Sequence, residues 1–273
     1  MKLFLGSLLV LSTSLFAAPY VPSKEAIRLL QSPHGPSKGV KLVKEDVVSL
    51  ERLETMFSMD ARTPGLAAML KRHSLKHGPK SVPVLIKVMK ESKYPEQNRW
   101  QATMLLGRIM GKKSAPFIAR FSEHPHWMMR VASLKALLAL KQDTYHHVYS
   151  KALRDPSLIV RVQALDNISR MEIKPLAPHV WNMLYDQSNY TGKSGNLKRT
   201  SIVKSVIRTL GDIRFEKARR PLAKLIQNPK YQDLAEDLDY SLEKITGETS
   251  PNSAEQRRKF WSKLAAVDQK KNI

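Results

Sequence analysis

The sequence contains no cysteine among its 273 residues. This absence excludes a disulfide framework, a thiol nucleophile, a thiolate metal site and a lipid anchor attached through cysteine. Aromatic residues are also few, at 7%, whereas 42% of the residues are apolar and 26% are charged. This composition is typical of a globular chain that can bury a sizeable core, and it argues against disorder.

Long hydrophobic runs are absent after residue 17. The one apolar run, Leu3 to Leu15, is about 13 residues long, fewer than the roughly 20 that a membrane-spanning helix needs. Lys2 precedes this run and Ala17 or Ala18 follows it, which is the pattern of a cleaved secretory signal. We therefore predict that residues 1–17 are a signal peptide and that the mature chain has no transmembrane segment. A simple signal on a cysteine-free chain is typical of a bacterial protein, and we expect a periplasmic or secreted location.

The positive charge of the chain is concentrated in one block. Lys and Arg number 46 against 24 Asp and Glu, a formal net charge of +22. Residues 62–230 hold 32 basic and 10 acidic residues, whereas the flanking residues cancel at 14 of each. Such a block attracts anionic partners and speeds their approach. The alternative is that lysines on solvated helix faces only keep the protein soluble.

A repeat of 31 residues organises the middle of the chain. Arg99, Arg130 and Arg161 are spaced 31 residues apart. Apolar or small residues recur at offsets 3, 7 and 10 from each arginine: Ala102, Ser133 and Ala164; Leu106, Leu137 and Ile168; Ile109, Leu140 and Met171. These offsets predict one buried face of a helix in every repeat.

A fourth copy of the pattern lacks the arginine and begins at Val203, with Val206, Leu210 and Ile213 at the same offsets. It follows Arg161 by 42 residues, 11 more than the repeat length. We assign this surplus to Asp186 to Asn196, a polar stretch that is typical of an inserted loop.

Prolines precede the repeated helices at similar distances, at Pro95, Pro125, Pro156 and Pro229. Proline is favoured where a helix begins, because its missing N–H has no helical partner there. A second helix is predicted after each turn: Pro79 to Met89, Ser114 to Ser122, Thr144 to Arg154, Pro175 to Tyr185 and Phe215 to Gln227. Such helix pairs bury their apolar faces only when adjacent pairs stack.

The spacing and the string from Asp155 to Leu165, DPSLIVRVQAL, resemble HEAT-like repeats of the short bacterial type named after phycobilisome lyases. The resemblance covers residues 63–247 and implies an all-α fold, an α-solenoid of stacked antiparallel helix pairs. We expect a flexible lead at 18–45, the solenoid at 46–250 with a first capping helix from Asp46 to Phe57, and a C-terminal capping helix and tail at 251–273, the helix running from Ala254 to Ala266.

The resemblance also implies roles for repeated polar residues. Arg99, Arg130 and Arg161 are expected to be structural and to pair with carboxylates or carbonyls of the adjoining repeat. Second helices usually line the concave face of such solenoids, which predicts a groove column of Lys87, Arg120, Lys151, Asn182 and Lys224, assisted by Arg154, Arg219 and Arg220. The alternative for this column is a structural ladder or a solvated face.

Motifs that could carry chemistry are weak. Gly192-Lys193-Ser194 ends like a phosphate-binding loop, but Gln187 stands where that motif needs its first glycine. The histidine pairs at 124 and 126 and at 146 and 147 lack the i, i+4 spacing of a helical metal site, so we predict no metal. No local signature singles out a catalytic residue or a cofactor site, so we predict neither.

The leading hypothesis is an exported, non-enzymatic scaffold that binds an acidic protein partner. The first alternative is a binder of nucleic acid, lipopolysaccharide or anionic lipid. The second is an enzyme of the lyase or DNA-glycosylase type, for which Trp181 is the candidate groove aromatic.

Overall fold

The computed structural model describes residues 44–191 and 197–266, so the predicted signal peptide and most of the predicted lead lie outside the described residues. The described chain is helical apart from one pair of two-residue strands, which confirms the prediction of an all-α protein. It forms two compact units that divide between Gln142 and Asp143. The sequence pattern does not predict this division, because the 31-residue register runs through it.

Six α-helices make up the described part of unit 1. They are α1 (Lys44–Ser58), α2 (Leu66–His77), α3 (Val82–Lys90), α4 (Glu96–Met110), α5 (Ala115–Ala119) and α6 (Trp127–Ala139), with 3₁₀ turns at Gly78–Ser81, Gly111–Ser114 and Arg120–Glu123. We call α2, α4 and α6 first helices and α3 and α5 second helices. α4 packs against α2 and α6, and it also packs against α3.

Seven α-helices make up the part of unit 2 that the structure describes. They are α7 (His146–Ala152), α8 (Leu158–Arg170), α9 (Ala177–Asn182), α10 (Thr200–Asp212), α11 (Arg219–Leu225), α12 (Ala235–Thr246) and α13 (Ala254–Ala266), with 3₁₀ segments at Lys174–Leu176, Gln187–Asn189, Glu216–Ala218 and Pro229–Leu234. The first helices α8, α10 and α12 pack one on the next, and α7, α9 and α11 are second helices. α13 packs on α11 and has the bounds predicted for the terminal helix.

The repeated apolar positions form the core beneath the first helices. Every residue predicted at offsets 3, 7 and 10 is buried except Met171, which is half-buried. Burying a leucine or isoleucine side chain contributes about 1.5–3 kcal/mol, so this face supplies much of the free energy that holds each first helix in place.

The same backbone turn ends three first helices. Lys141, Glu172 and Arg214 have φ values of 52°, 49° and 52°. In each turn the N–H of the following residue donates to the carbonyl at repeat offset 7, that of Leu137, Ile168 or Leu210. This hydrogen bond, which spans six residues, is typical of the Schellman motif that ends a helix. The chain then reverses its direction into the second helix. The 31-residue repeat of the sequence is therefore also a repeat of backbone geometry.

The second helices are shorter than predicted, and 3₁₀ turns occupy part of the ranges that were predicted as α-helix. α5 has five residues and α9 has six, each preceded by a 3₁₀ turn. Pro83, Pro116 and Pro178 lie in the first turns of α3, α5 and α9. Proline has no N–H to donate and is therefore tolerated in the first turn of a helix, and each of these α-helices begins one residue before its proline.

The predicted insertion also begins later than the sequence indicates. Tyr190–Thr191 and Leu197–Lys198 pair as antiparallel strands, and residues 187–189 form a 3₁₀ turn before them. Asn189 is buried and donates to the carbonyl of Met183 at the end of the second helix. The segment up to Asn189 is therefore held against the end of α9.

Candidate functional site

The three aligned arginines lie on the first helices α4, α6 and α8. In unit 1 the Arg99 Nη2 lies 2.9 Å from the carbonyl oxygen of Met89, near the end of the second helix α3, and donates to it. Arg130 Nη1 donates to the carbonyl oxygens of His124 and Pro125, in the loop before α6, at 2.9 and 2.8 Å. Arg99 thus satisfies a carbonyl that a helix end leaves without an intrahelical donor, and Arg130 satisfies two loop carbonyls.

Arg161 makes the same kind of contact in unit 2. Its Nε donates to the Asp155 carbonyl, and its Nη1 donates to Ser188 Oγ at 2.6 Å and to Asn189 Oδ1 at 2.7 Å. The side chains of Arg99 and Arg161 are buried, and burial lowers the pKa of Arg99. These contacts are those of structural residues, and they turn the buried charges inward instead of toward a ligand.

Lys87 of the predicted column forms an ion pair within unit 1. Its Nζ lies 2.6 Å from Glu54 Oε1, which also accepts a hydrogen bond from the Tyr94 hydroxyl at 2.7 Å. The hydrogen bond between Lys87 and Glu54 raises the pKa of Lys87 and lowers the pKa of Glu54. Glu54, Glu51, Thr55 and Ser58 line a shallow pocket along one face of α1. Lys87 is therefore part of a neutralised pair beside an acidic pocket.

The remaining predicted binding residues are exposed. Arg120 begins the 3₁₀ turn after α5 in unit 1. In unit 2 the exposed set is Lys151 on α7, Arg154 just after it, Asn182 at the end of α9, and Arg219, Arg220 and Lys224 on α11. Among the residues that the structure describes, Arg219 and Lys224 have no carboxylate within ion-pair distance.

The second helices of unit 2 follow one another in space. α7 contacts the 3₁₀ turn that leads into α9, and the Trp181 ring of α9 lies 6.4 Å from the Phe215 ring just before α11. We call the exposed cations of this succession, Lys151, Arg154, Arg219, Arg220 and Lys224, the basic surface.

Charge is segregated between the two sets of helices in unit 2. The second-helix segments, residues 144–155, 174–185 and 214–228, contain eight Lys and Arg against two Asp and Glu. The first helices α8, α10 and α12 contain five Lys and Arg against six Asp and Glu. The excess positive charge of these elements therefore lies on the second-helix side.

Two acidic side chains of the first helices, Asp212 and Asp237, are engaged within their own layer. Asp212 accepts hydrogen bonds from Ser169 Oγ and from the Tyr240 hydroxyl, at 2.5 and 2.6 Å. Buried Asp237 pairs with Arg208 at 2.6 Å, and the Arg208 guanidinium lies 4.2 Å from the Tyr240 ring centre. These contacts hold the carboxylates away from the basic surface.

Aromatic rings lie beside the basic surface, and the sequence singled out only one of them. Trp181 and Tyr185 are one helical turn apart, with ring centres 5.5 Å apart in an edge-to-face arrangement. Trp181 also contacts Phe215, so the three rings form a row, which we call the aromatic row. Tyr185 is 64% exposed, whereas Trp181 and Phe215 are half-buried. The i, i+4 spacing of Trp181 and Tyr185 is the signal that could have predicted the pair.

The histidines at 124 and 126 have structural partners in unit 1. The His126 Nε2 lies 2.9 Å from Glu96 Oε1, and the His124 ring stacks on Phe121. Within residues 44–191 and 197–266, no three His, Asp or Glu side chains are grouped closely enough to hold a metal ion. In the same residues no helix is both long and apolar enough to cross a membrane.

Comparison with known proteins adds no assignment: no family model matches the chain, and no curated protein matches it. The resemblance to HEAT-like repeats is therefore carried by the repeated pattern alone.

Proposed function

We propose that the protein is an exported, non-enzymatic scaffold of HEAT-like helix pairs that binds an acidic protein segment on the basic surface of unit 2. Each unit supports the repeat assignment separately, through first helices that pack on the next first helix and through the shared turn at Lys141, Glu172 and Arg214. The signal-like pattern of residues 1–17 supports export.

The observation that carries the proposal is the segregation of charge in unit 2. A second-helix side with eight basic and two acidic residues is a surface complementary to a negatively charged partner. Solubility alone requires no such asymmetry, because cations on either set of helices keep a protein soluble equally well.

The engaged carboxylates strengthen this argument. Asp212 and Asp237 are already hydrogen-bonded among first helices, so they do not neutralise Arg219 or Lys224. Exposed cations of this kind accelerate association and fix the orientation of an acidic partner, and their contribution falls steeply as salt rises.

Binding rather than catalysis is proposed because the groups of the basic surface and the aromatic row are ammonium and guanidinium ions and aromatic rings. These groups recognise charge and shape, and repeat arrays of this kind present long rigid surfaces to partners.

The test is affinity capture of ligands by the tagged chain in its own cells, with and without nuclease, followed by elution in steps of salt. The decisive variant carries Arg219→Glu and Lys224→Glu. Its matched control carries Arg170→Glu and Lys244→Glu, which makes the same change in net charge on the exposed side of first helices.

We expect a discrete acidic protein that resists nuclease, is retained by the control and is lost from the decisive variant, with the same pattern when the purified partner is titrated. Diffuse nucleic acid or lipopolysaccharide would overturn the proposal in favour of a polyanion binder, for which a slope of roughly −0.9 per phosphate in log affinity against log salt is expected on duplex DNA. Equal loss from both double variants would also overturn it, because the effect would then be one of net charge.

A further inference from the structure

The aromatic row gives the basic surface a second kind of contact besides charge. Tyr185 exposes 64% of its surface at the end of α9, and its ring is held edge-on by Trp181. Trp181 in turn contacts Phe215, which immediately precedes the 3₁₀ turn leading to Arg219. An exposed aromatic ring supported by two further rings is a rigid apolar contact area with little side-chain entropy to lose on binding.

Cations flank the aromatic row within unit 2. Hydrogen bonds from Ser188 lower the pKa of Asp186, which directly follows Tyr185, and the charges of Arg161 and of Arg154, in the turn after α7, lower it further. Arg219 and Lys224 lie on α11, which begins four residues after Phe215. Tyrosine, tryptophan and arginine are the residues that dominate the binding energy of protein interfaces.

Exposed apolar residues elsewhere in unit 2 lack this setting. Ile159 and Val162 of the first helix α8 are 49% and 37% exposed. They lie on the layer whose basic and acidic residues nearly balance, so they provide a control surface of similar apolarity without the charge.

We propose that the bound acidic segment carries one large apolar side chain, which packs against Tyr185 and Trp181 while acidic residues on both sides of it face Arg154 and the cations of α11. This inference rests on the proposed function and adds the chemistry of the partner to it. The basic surface favours an acidic segment, and the exposed ring of Tyr185 favours a large apolar residue at the centre of that segment.

The experiment uses two fluorescein-labelled peptides of twelve residues, rich in Asp, Glu, Ser and Gly, with either Trp or Ser at the central position. Binding of each peptide to the purified chain is measured by fluorescence anisotropy at low salt. We expect the Trp peptide to bind about tenfold more tightly than the Ser peptide, the effect of a single well-packed anchor.

Tyr185→Ala is expected to reduce this preference to within about twofold, whereas Tyr185→Phe retains it and Ile159→Ala leaves it unchanged. Because Tyr185 is exposed, these variants are expected to fold, and circular dichroism verifies this for each protein used.

The outcomes separate this inference from the proposed function. Equal binding of the two peptides to the wild type, together with loss of both in the Arg219→Glu and Lys224→Glu variant, would overturn the anchor and leave the acidic-segment proposal standing. Failure of both peptides to bind counts against both proposals. Tyr185-dependent binding of a single-stranded oligonucleotide in place of the peptides would overturn the inference, because bases also stack on exposed rings.

Discussion

The Nη2 of Arg99 lies 2.9 Å from the Nε2 of His124, and the backbone N–H of His126 points at the Nδ1 of the same ring from 3.0 Å. Both nitrogens of the imidazole therefore face donors. A neutral imidazole has one acceptor nitrogen and a protonated one has none, so the neutral ring can accept one of these two hydrogen bonds and the protonated ring can accept neither.

Acid is accordingly expected to destabilise unit 1 through His124. Burial, and then the charge of Arg99, lowers the pKa of His124 below its ordinary value of 6.5. The unfolded chain thus takes up this proton first, so the stabilising contribution is present above pH 6.5 and is lost as the pH falls toward the lowered pKa.

Urea unfolding at pH 8 and pH 5, followed by circular dichroism, measures this effect. The fall in the free energy of unfolding between the two pH values should be smaller in His124→Gln than in the wild type. His179→Gln serves as the control because His179 is exposed on α9. An unchanged pH dependence in His124→Gln would show that the neutral ring is not the stabilising form.

Arg161, the aligned arginine of unit 2, is expected to be sensitive to substitution. Arg161→Ala removes the donors for Asn189, Ser188 and the Asp155 carbonyl, and it leaves buried acceptors unpaired. We expect a loss of about 2–4 kcal/mol in the free energy of unfolding by urea. Arg161→Lys should recover little, because an ammonium cannot reproduce the guanidinium fork. The exposed Arg170→Ala is the control, with an expected effect within about 0.5 kcal/mol.

The shared helix-ending turn predicts mutations that increase stability. Arg214 has a φ of 52°, a conformation that costs a residue with a side chain about 1–2 kcal/mol and costs glycine nothing. Glycine raises the entropy of the unfolded chain, which offsets part of this gain, so we expect a net gain of about 0.5–1 kcal/mol for Arg214→Gly and for Lys141→Gly. Arg170→Gly, at the last residue of α8, replaces a good helix former without relieving a positive φ, so it is expected to lower stability. Thermal unfolding of the three variants checks both signs.

The segment after α9 is expected to tolerate change at one end only. Replacing residues 192–196 with Asn-Gly keeps both short strands and supplies the favoured two-residue hairpin turn, so helical circular dichroism should be unchanged. Asn189→Ala removes the hydrogen bonds with Met183 and Arg161 and should cost about 1–3 kcal/mol. If the shortened hairpin were the more damaging change, the boundary of the repeat would lie beyond Asn189.

The first helices could be predicted from the sequence because their burial depends on a local period. Positions such as Leu106, Leu137 and Leu210 are apolar at one fixed offset, and the structure buries all three. The short second helices could not be bounded in the same way. Their ends depend on where a proline starts a regular turn and on bonds from arginines of other helices, such as that from Arg99 to Met89.

The candidate site was predictable in its charge but not in its partners. Exposed cations such as Arg120 and Lys224 were predicted as members of a column, whereas the ion pair of Lys87 joins it to Glu54 of a helix that precedes the repeats. No periodicity indicates such a contact. The exposure of Tyr185 depends on how α9 packs, and the left-handed turn at Arg214 lacks the glycine that usually marks it.

The hydrogen bonds that join the helices connect positions close along the chain: Arg161 reaches residues 27 and 28 positions away, and Ser169 reaches Asp212, 43 positions away. Little loop-closure entropy is lost when such contacts form, and chains rich in local contacts fold quickly. Folding can therefore begin in any helix pair and spread to its neighbours, so a nascent chain can acquire structure pair by pair as it emerges, before its last helix is available.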